Sequence, residues 1–366
     1  MTLLEDRRQR LCHAMADAGH SHLFLAPGAS FTYFTSLSLH ASERLTLFGC
    51  DASGRTALVL PQLELDSARD AAVDAVFSYA DEEGPARAMA SLAVALGLTP
   101  ESTPAVEETH LRLFEAQALR ECGASTLREG AGAVMALRLY KSAQEIAVMQ
   151  RAARVTDAAL EATLPLLRVG MTELEIAAEL EYQLKKQGSQ SLPFGTIAGA
   201  GARGALPHSV PGETKVQIGD LLVLDFGAIV EGYVADTTRT VAFGDPGAQA
   251  RTVYETVQRA QAAAVEAVKP GKTAGDIDRV ARSVISDAGY GPYFTHRTGH
   301  GLGLETHEYP SIMAGSTLPL IPGMVFTIEP GIYLPGQFGV RIEDDVVVTD
   351  DSVLVLTQMR RDLIIL

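Results

Sequence analysis

Four carboxylates interrupt apolar, β-like runs in the second part of the sequence. They are Asp225 in LLVLDFGAI, Asp236 in YVADTTRTV, Glu329 in VFTIEPGIY and Glu343 in GVRIEDDVVV. A carboxylate inside an apolar strand costs several kcal/mol unless it is paired or bound to a metal. An ion pair or a strand-end turn would explain one such residue, but Arg239 and Arg341 are too few to neutralise four. The pattern therefore indicates a divalent metal site.

The histidines of residues 139–366 all fall in segments punctuated by glycine or proline, LPHSVPG and THRTGHGLGLETHE. They are His208, His296, His300 and His307. Two divalent ions would balance four carboxylates, and a neutral imidazole from His300 would add a ligand without changing that balance. Oxygen ligands with one imidazole suit Mn²⁺, Co²⁺, Zn²⁺ or Fe²⁺. We therefore expect two divalent ions able to activate water and polarise a carbonyl group together.

The composition is that of a globular protein with two domains. The chain has 366 residues, a formal net charge of −15, 47% hydrophobic residues and 20% charged residues. So acidic a chain is a poor match for nucleic acid or anionic membranes, and we expect neither as a partner. No apolar run approaches the ~20 residues of a membrane-spanning helix. The charged start MTLLEDRRQR and three cysteines without a CxxC motif predict a cytoplasmic protein.

The pattern of predicted strands and helices changes near residues 130–140. Before that point, LFLAPGASFTYF and RLTLFGCDASGRTALVL are typical of strands, and residues 83–97 and 110–122 have helical composition. After it, Ser142 and Glu145 form a capping box that predicts a helix to about Leu167. We therefore predict a mixed α/β domain over 1–135 and a second domain over 136–366.

The second part contains a repeat, GMTELEIAAELEYQLKKQG from Gly170 and GKTAGDIDRVARSVISDAG from Gly271. Both copies begin Gly-x-Thr and end in glycine, as a helix C-terminus favours. A helical stretch precedes each copy (142–167 and 248–268), and a pair of β-like runs follows each (221–230 with 233–243, and 324–333 with 339–349). Chance similarity between amphipathic helices is the alternative explanation. A true repeat predicts an α+β fold in which the two hairpins lie side by side in one sheet, covered by helices.

The motifs LPHS, DFGA, ADTTRT, TGHGLGLETHE, TIEPGIY and RIED together resemble the pita-bread metallopeptidases of the creatinase/aminopeptidase fold. Within that fold the set is similar to the Xaa-Pro dipeptidases (prolidases) and aminopeptidase P, over about residues 139–360. The resemblance implies an α+β protein with a C-terminal pita-bread catalytic domain that contains the duplicated unit. It also implies a smaller creatinase-like N-terminal domain and a homodimer.

The resemblance assigns roles residue by residue. The metal-ligand positions are Asp225, Asp236, His300, Glu329 and Glu343, with Asp236 and Glu343 bridging two ions. The family's other catalytic and substrate-facing positions are His208, His296, His307, Glu329 and Arg341. Glu329 would act as general base, His307 would stabilise the oxyanion, and Arg341 would steady the ligand carboxylates or meet the substrate. Thr238 is expected to hydrogen-bond a ligand.

The implied activity is hydrolysis of the bond before proline in short peptides, that of a Xaa-Pro dipeptidase. Aminopeptidase P, acting on longer peptides, is the first alternative. Methionine aminopeptidase has the same ligand set, but it usually lacks the leading domain and its two glutamate motifs lie farther apart. A creatine-type hydrolase and an inactive binding protein on the same scaffold are more distant, because all five ligand positions are kept.

One feature departs from the resemblance. Many prolidases carry an arginine for the substrate carboxylate shortly after the last histidine motif, but residues 308–328 contain neither arginine nor lysine. We therefore expect weak discrimination between a dipeptide and its amide, with Arg341 and His296 as the candidate substitutes.

Overall fold

The computed structural model describes residues 3–69 and 71–366, and the chain divides into two compact units, 1–138 and 139–366. In the described part of the first unit, a six-stranded sheet with the order β4-β3-β2-β1-β5-β6 is combined with five α-helices. The helices are α1 Leu3–Asp17, α2 Ala29–Thr35, α3 Ala86–Leu96, α4 Leu113–Glu121 and α5 Ala131–Arg138. The strands are β1 His22–Leu25, β2 Leu47–Asp51, β3 Thr56–Pro61, β4 Ala75–Tyr79, β5 Pro104–Val106 and β6 Arg128–Glu129.

The prediction of a strand over LFLAPGASFTYF is only half right. β1 ends at Leu25, and residues 29–35 form α2. The aromatic and β-branched residues of this segment favour strands in general. Here Phe31, Phe34 and Thr35 are buried at the spacing of one helical face. The helices predicted over 83–97 and 110–122 are confirmed as α3 and α4.

The second unit contains the helix–helix–hairpin order twice. Its helices are α6 Ala143–Thr163, α7 Glu173–Lys186, α8 Ala248–Ala267 and α9 Ala274–Asp287. Its strands are β7 Ile197–Ala200, β8 Leu221–Val230, β9 Tyr233–Ala242, β10 Gly299–Gly301, β11 Glu308–Ile312, β12 Val325–Ile328, β13 Gly331–Leu334, β14 Phe338–Arg341, β15 Asp344–Val348, β16 Val353–Val355 and β17 Ile364–Ile365.

The two copies agree in detail at the second helix of each unit. Thr172 caps α7 and Thr273 caps α9, each in a capping box with an acid three residues later. Gly188 and Gly289 follow the two helices with φ of 109° and 85°, a backbone region that glycine adopts without strain. Each copy also buries its helices on strands in a separate hydrophobic cluster. The predicted repeat is therefore present in the fold.

The second hairpin is interrupted where the first is continuous. β8 and β9 pair over their whole length, whereas β12 pairs with β15, and β13 pairs with β14 in a separate ladder. The break follows Glu329, where Pro330 has no amide to donate. It leaves Glu329 and Glu343 outside the regular strands, each at the edge of a ladder.

The prediction that both hairpins share one sheet is wrong. β8 and β9 belong to a four-stranded sheet with the order β17-β9-β8-β7, and β12 and β15 to a five-stranded sheet with the order β11-β10-β12-β15-β16. The two hairpins meet along β9, where the amide of Glu343 donates to the carbonyl of Thr238 over 3.1 Å. Neighbouring amides are taken by side chains instead: Asp236 donates to the Asp345 carboxylate and Arg341 to the Thr240 hydroxyl. A continuous ladder therefore does not form.

Helix lengths and composition also bear on membranes. Among the residues that the structure describes, no helix is both long enough and apolar enough to cross a bilayer.

β10 packs so tightly that only glycine fits on either side of His300. A Cβ at Gly299 would lie 1.8 Å from the carbonyl oxygen of Thr327, and one at Gly301 would lie 2.0 Å from that of Tyr309. Both neighbours are backbone atoms of the adjoining strands, which cannot turn away. The backbones of β11 and β12 therefore flank β10 so closely that they fix the position of His300.

Gly299→Ala is expected to destabilise the second unit by at least the ~1–3 kcal/mol that overpacking usually costs, and to displace His300. Differential scanning calorimetry should show a clear fall in Tm. The matched control is Gly132→Ala in α5, where a new Cβ meets nothing within 4 Å. That substitution should hold or raise Tm, because alanine favours helix over glycine. An unchanged Tm in Gly299→Ala would contradict this close packing around β10.

Candidate metal centre

The nine residues that the sequence analysis assigns to metal-ligand and catalytic positions all line one cavity of about 600 Å³ in the second unit. They are Asp225, Asp236, His300, Glu329, Glu343, His208, His296, His307 and Arg341. The first hairpin supplies Asp225 from β8 and Asp236 from β9, and the interrupted second hairpin supplies Glu329 and Glu343. β10 brings in His300. The duplication thus places two carboxylates from each copy at the same point.

Asp236, His300 and Glu343 form the tightest group. All three are buried, and one ligand atom from each lies within 4.8 Å of the others. His300 Nε2 lies 3.8 Å from Asp236 Oδ2 and 3.4 Å from Glu329 Oε1. These gaps suit an ion, since ligand atoms each ~2.0–2.2 Å from a metal such as zinc lie ~3–4 Å from one another.

The protein presents the correct nitrogen of His300 to this group. Nδ1 of His300 lies 3.1 Å from the carbonyl oxygen of Gly301, which can only accept a hydrogen bond. Nδ1 therefore carries the proton, and the lone pair of Nε2 faces the carboxylates. Burial lowers the pKa of His300 to about 3, with a smaller contribution from His307, so the imidazole is neutral at pH 7.

The carboxylates are destabilised as anions in the absence of a cation. Burial, followed by repulsion from Glu343, raises the pKa of Asp236 well above its usual range. Burial and repulsion from Glu329 do the same to Glu343, and burial raises the pKa of Glu329 to about 7. Among the described residues, Oδ1 of Asp225 and Oδ1 of Asp236 are buried without a hydrogen-bond partner. Orphaned anionic oxygens around a neutral imidazole fit one or more divalent cations.

Arg341 connects the carboxylates to the wall of the cavity. Its guanidinium pairs with Asp225, donates to the Thr238 hydroxyl over 3.1 Å and donates to the Tyr333 hydroxyl over 2.8 Å. Thr238 in turn donates to Glu343 over 2.5 Å, so the expected hydrogen bond from Thr238 to this carboxylate is present. Arg341 therefore steadies two of the acidic side chains from one position.

A second chain of hydrogen bonds runs from Arg341 to His296. Nδ1 of His296 donates to the carbonyl of Arg297 over 2.7 Å, so Nε2 accepts the Tyr333 hydroxyl over 2.8 Å. Burial, with a contribution from Arg341, lowers the pKa of His296 to about 4. His296 is thus a neutral, oriented ring in the wall of the cavity.

His307 and His208 are the two exposed histidines of the cavity. The ring of His307 packs edge-on against His300 with 4.3 Å between centroids. Within the described ranges no protein group hydrogen-bonds either imidazole, which leaves their nitrogens available to a ligand. His208 lies on a loop held by Glu173, which is fully buried at the start of α7 and accepts from the amides of Ala200 and Gly212.

Arg239 donates its hydrogen bonds to backbone carbonyls and to Asp344, and its guanidinium is thereby occupied away from the carboxylate groups of the cluster. It is buried and pairs with Asp344 over 2.8 Å, and it also donates to the carbonyls of Met359 and Arg360. Because neither basic residue of the hairpins pairs with Asp236 or Glu343, these two side chains are neutralised either by protonation, as their raised pKa values indicate, or by a bound cation.

Sequence reasoning missed three residues of the site: Tyr333, Arg297 and Glu173. Tyr333 carried a signal, since its polar hydroxyl interrupts the buried strand β13 four residues after Glu329. Arg297 was visible beside His296 in THRTGHG but was not considered. Glu173 looks like any acid in the first turn of a helix, and only its complete burial distinguishes it.

Comparisons with known proteins identify the family of the chain. Residues 7–140 match the model of the creatinase/prolidase N-terminal domain, and residues 147–350 match that of metallopeptidase family M24. The Xaa-Pro dipeptidase of Lactobacillus helveticus is 39% identical over 95% of this chain and 96% of its own.

Two solved structures show the same fold over nearly the whole chain. The Xaa-Pro dipeptidase from Bacillus anthracis has a TM-score of 0.92 at 35% identity and covers 99% of this chain and 100% of its own. The X-Pro aminopeptidase from Thermotoga maritima has a TM-score of 0.87 at 31% identity and covers 98% and 99%. The resemblance to the pita-bread peptidases and the α+β fold are thereby confirmed, and the match to a metallopeptidase family implies divalent metal ions. The chain belongs to metallopeptidase family M24.

Proposed function

We propose that this protein is a Xaa-Pro dipeptidase that hydrolyses the bond before proline in short peptides. The observation that carries the proposal is the buried cluster of Asp236, His300 and Glu343, whose ligand atoms lie within 4.8 Å inside a cavity. Relatives that are themselves named Xaa-Pro dipeptidase or prolidase span almost the whole chain at 34–39% identity. The fold and the donor set therefore point to the same activity.

The proposed ligands are Asp225, Asp236, His300, Glu329 and Glu343, for two divalent ions with Mn²⁺ first and Co²⁺, Zn²⁺ or Fe²⁺ as alternatives. Asp236 and Glu343 are the most deeply buried carboxylates of the set, at 4% and 2% exposure, which suits residues shared by two ions. When bound, such ions supply Lewis acidity toward the scissile carbonyl and lower the pKa of water.

The protein's own groups handle the protons. The bond before proline is a tertiary amide, so the leaving nitrogen must receive a proton during hydrolysis. Glu329 lines the cavity with Oε1 3.4 Å from His300 Nε2, and from there it is placed to accept the proton of the attacking water and pass it to that nitrogen. His307 and His208 are free to donate hydrogen bonds to the carbonyl oxygen and to the peptide. Arg341 and Tyr333 hold Asp225 and His296 in place.

Aminopeptidase P is the second candidate, because the Thermotoga maritima structure named X-Pro aminopeptidase has the same fold. The two activities differ in whether a free carboxylate or a further peptide follows proline. Cleavage of Xaa-Pro beside Xaa-Pro-Xaa by the metal-loaded protein separates them. A preference for the dipeptide supports the proposal, and a strong preference for the tripeptide would replace it with the alternative.

We also propose a homodimer in the cytoplasm. Free thiols at Cys12, Cys50 and Cys122 are consistent with a reducing compartment. The dimer is proposed from the resemblance alone, and sedimentation of the purified protein would test it.

Chelation is expected to abolish Xaa-Pro hydrolysis and to lower Tm, because it leaves the buried carboxylates without a cation. Adding Mn²⁺ or Co²⁺ after dialysis should restore both. The readouts are the kcat for a dipeptide and the Tm of the chelated and reloaded protein. Full activity in a preparation shown by elemental analysis to be metal-free would contradict the proposed function.

A further inference from the structure

We propose that Arg297 binds the C-terminal carboxylate of the substrate and so determines the specificity for dipeptides. The inference rests on the proposed function, because it identifies the residue that would recognise the end of a Xaa-Pro dipeptide. It replaces the expectation of weak carboxylate recognition, which considered only residues 308–328, Arg341 and His296.

Arg297 lines the same cavity as the proposed ligands and is half-buried there. Its Nη1 donates to the hydroxyl of Ser311 over 3.0 Å. Ser311 lies on β11 directly opposite His300 in the antiparallel ladder. One hydrogen bond from a neighbouring strand therefore fixes the guanidinium on the His300 side of the cavity and leaves its other N–H groups available.

Arg297 differs from the second arginine of the cavity in what it pairs with. Arg341 is almost fully buried and contacts Asp225, Thr238, Tyr333 and the carbonyl of Pro207. No carboxylate of the described residues forms an ion pair with Arg297. A partly desolvated guanidinium without an anionic partner is a ready site for a carboxylate, which it can bind through two parallel hydrogen bonds.

The position of Arg297 also suits the proline end of the substrate. Arg297 lines the same cavity as His307 and Glu329, and the carbonyl of its neighbour Thr298 accepts the amide of Glu329 over 2.8 Å. His307 and Glu329 are the residues proposed to meet the scissile carbonyl and to protonate the proline nitrogen. In a Xaa-Pro dipeptide the free carboxylate is attached to the proline ring carbon next to that nitrogen. A cation beside His307 and Glu329 is therefore near the group that separates a dipeptide from a longer peptide.

The test compares kcat/KM for one Xaa-Pro dipeptide with its C-terminal amide, using Mn²⁺-loaded wild-type protein, Arg297→Gln and Arg297→Lys. The amide has nearly the same shape but no charge. A charge-assisted contact predicts a dipeptide preference of about tenfold to a hundredfold in the wild type. In Arg297→Gln, dipeptide cleavage should fall by about the same factor while amide cleavage holds, so the ratio approaches one. Arg297→Lys should retain part of the preference.

Arg279→Gln is the matched control, since Arg279 is an exposed arginine of α9 outside the cavity, with its side chain 70% exposed. Its ratio should equal that of the wild type. The metal-induced rise in Tm checks that each variant folds and binds metal. If Arg297→Gln does not fold, the dipeptide-to-amide ratio of kcat/KM in Arg297→Lys and in Ser311→Ala tests the role of Arg297. Both substitutions should lower that ratio.

The outcomes separate the inference from the function on which it rests. An unchanged ratio in Arg297→Gln, an equal loss on both substrates, or a wild-type ratio near one would overturn the role of Arg297 while leaving the peptidase activity standing. Absence of cleavage of both substrates by metal-loaded wild-type protein would instead remove the proposed function.

Discussion

Asp236→Asn is expected to reduce turnover by more than the ~100-fold that loss of an outer-shell partner costs, and to remove the metal-induced rise in Tm. Asparagine at this position removes one negative charge from the part of the site where the ligand atoms lie closest together. Asp236 lies against His300 and Glu343, so the loss affects every ion held there. Elemental analysis, Tm with and without Mn²⁺, and kcat on a dipeptide measure the three effects.

The same substitution should make the metal-free protein more stable. Burial and repulsion from Glu343 raise the pKa of Asp236 well above its usual value, so the ionised form costs free energy in the folded chain. A group with a raised pKa stabilises the folded state at pH values below its ordinary pKa and loses that contribution as pH rises through the raised value. At pH 8 the chelated variant should therefore melt above the chelated wild type.

Asp287→Asn, at the exposed end of α9, is the control, and it should change neither activity nor the response to metal. A chelated Asp236→Asn protein that melts well below the chelated wild type would show that the acid is stabilised by protein contacts. That result would contradict the proposal that Asp236 is a metal ligand whose ionised form is destabilised in the metal-free protein.

His307→Ala is expected to lower kcat by on the order of 10²-fold or more, as removal of one oxyanion donor does in other enzymes. The ring is exposed in the cavity and contacts His300 only edge-on. Metal content and the metal-induced rise in Tm should therefore stay close to those of the wild type. The measurement is kcat together with metal content, and His40→Ala, an exposed histidine of the first unit, is the control.

A parallel loss of metal and activity in His307→Ala would make His307 a ligand and would overturn its assignment as an oxyanion donor. A loss confined to KM would instead assign it to substrate binding.

The carboxylates of the site could be predicted from the sequence because a carboxylate among apolar strand residues costs free energy, and its immediate neighbours in the chain reveal that cost. Asp225 and Asp236 stand in strands whose other residues are apolar, and that contrast is visible without knowing the fold. The repeat was visible for the same reason. The threonines that begin its helices, Thr172 and Thr273, and the glycines that follow them, Gly188 and Gly289, are short-range signals.

Other parts of the site depend on contacts that no local pattern encodes. The Tyr333 hydroxyl matters because it meets Arg341 and His296, and the latter is 37 residues away in the chain. The separation of the hairpins into two sheets depends on the Thr240 and Asp345 side chains capturing backbone amides across 101 and 109 residues. α2 was mistaken for a strand because aromatic residues suit either element, and burial along one helical face decides between them.

The duplication has a consequence for how the site responds to dilution. Each copy of the helix–helix–hairpin unit supplies two of the four clustered carboxylates, so the centre is equivalent to an interface between two similar modules. If those modules were separate chains, the proposed ion site would exist only at concentrations at which they associate. Within one chain, the connection through α8 and α9 makes their meeting intramolecular, with an effective concentration that does not depend on how much protein is present. Completeness of the four-carboxylate cluster is thus a property of each single chain, whatever its oligomeric state.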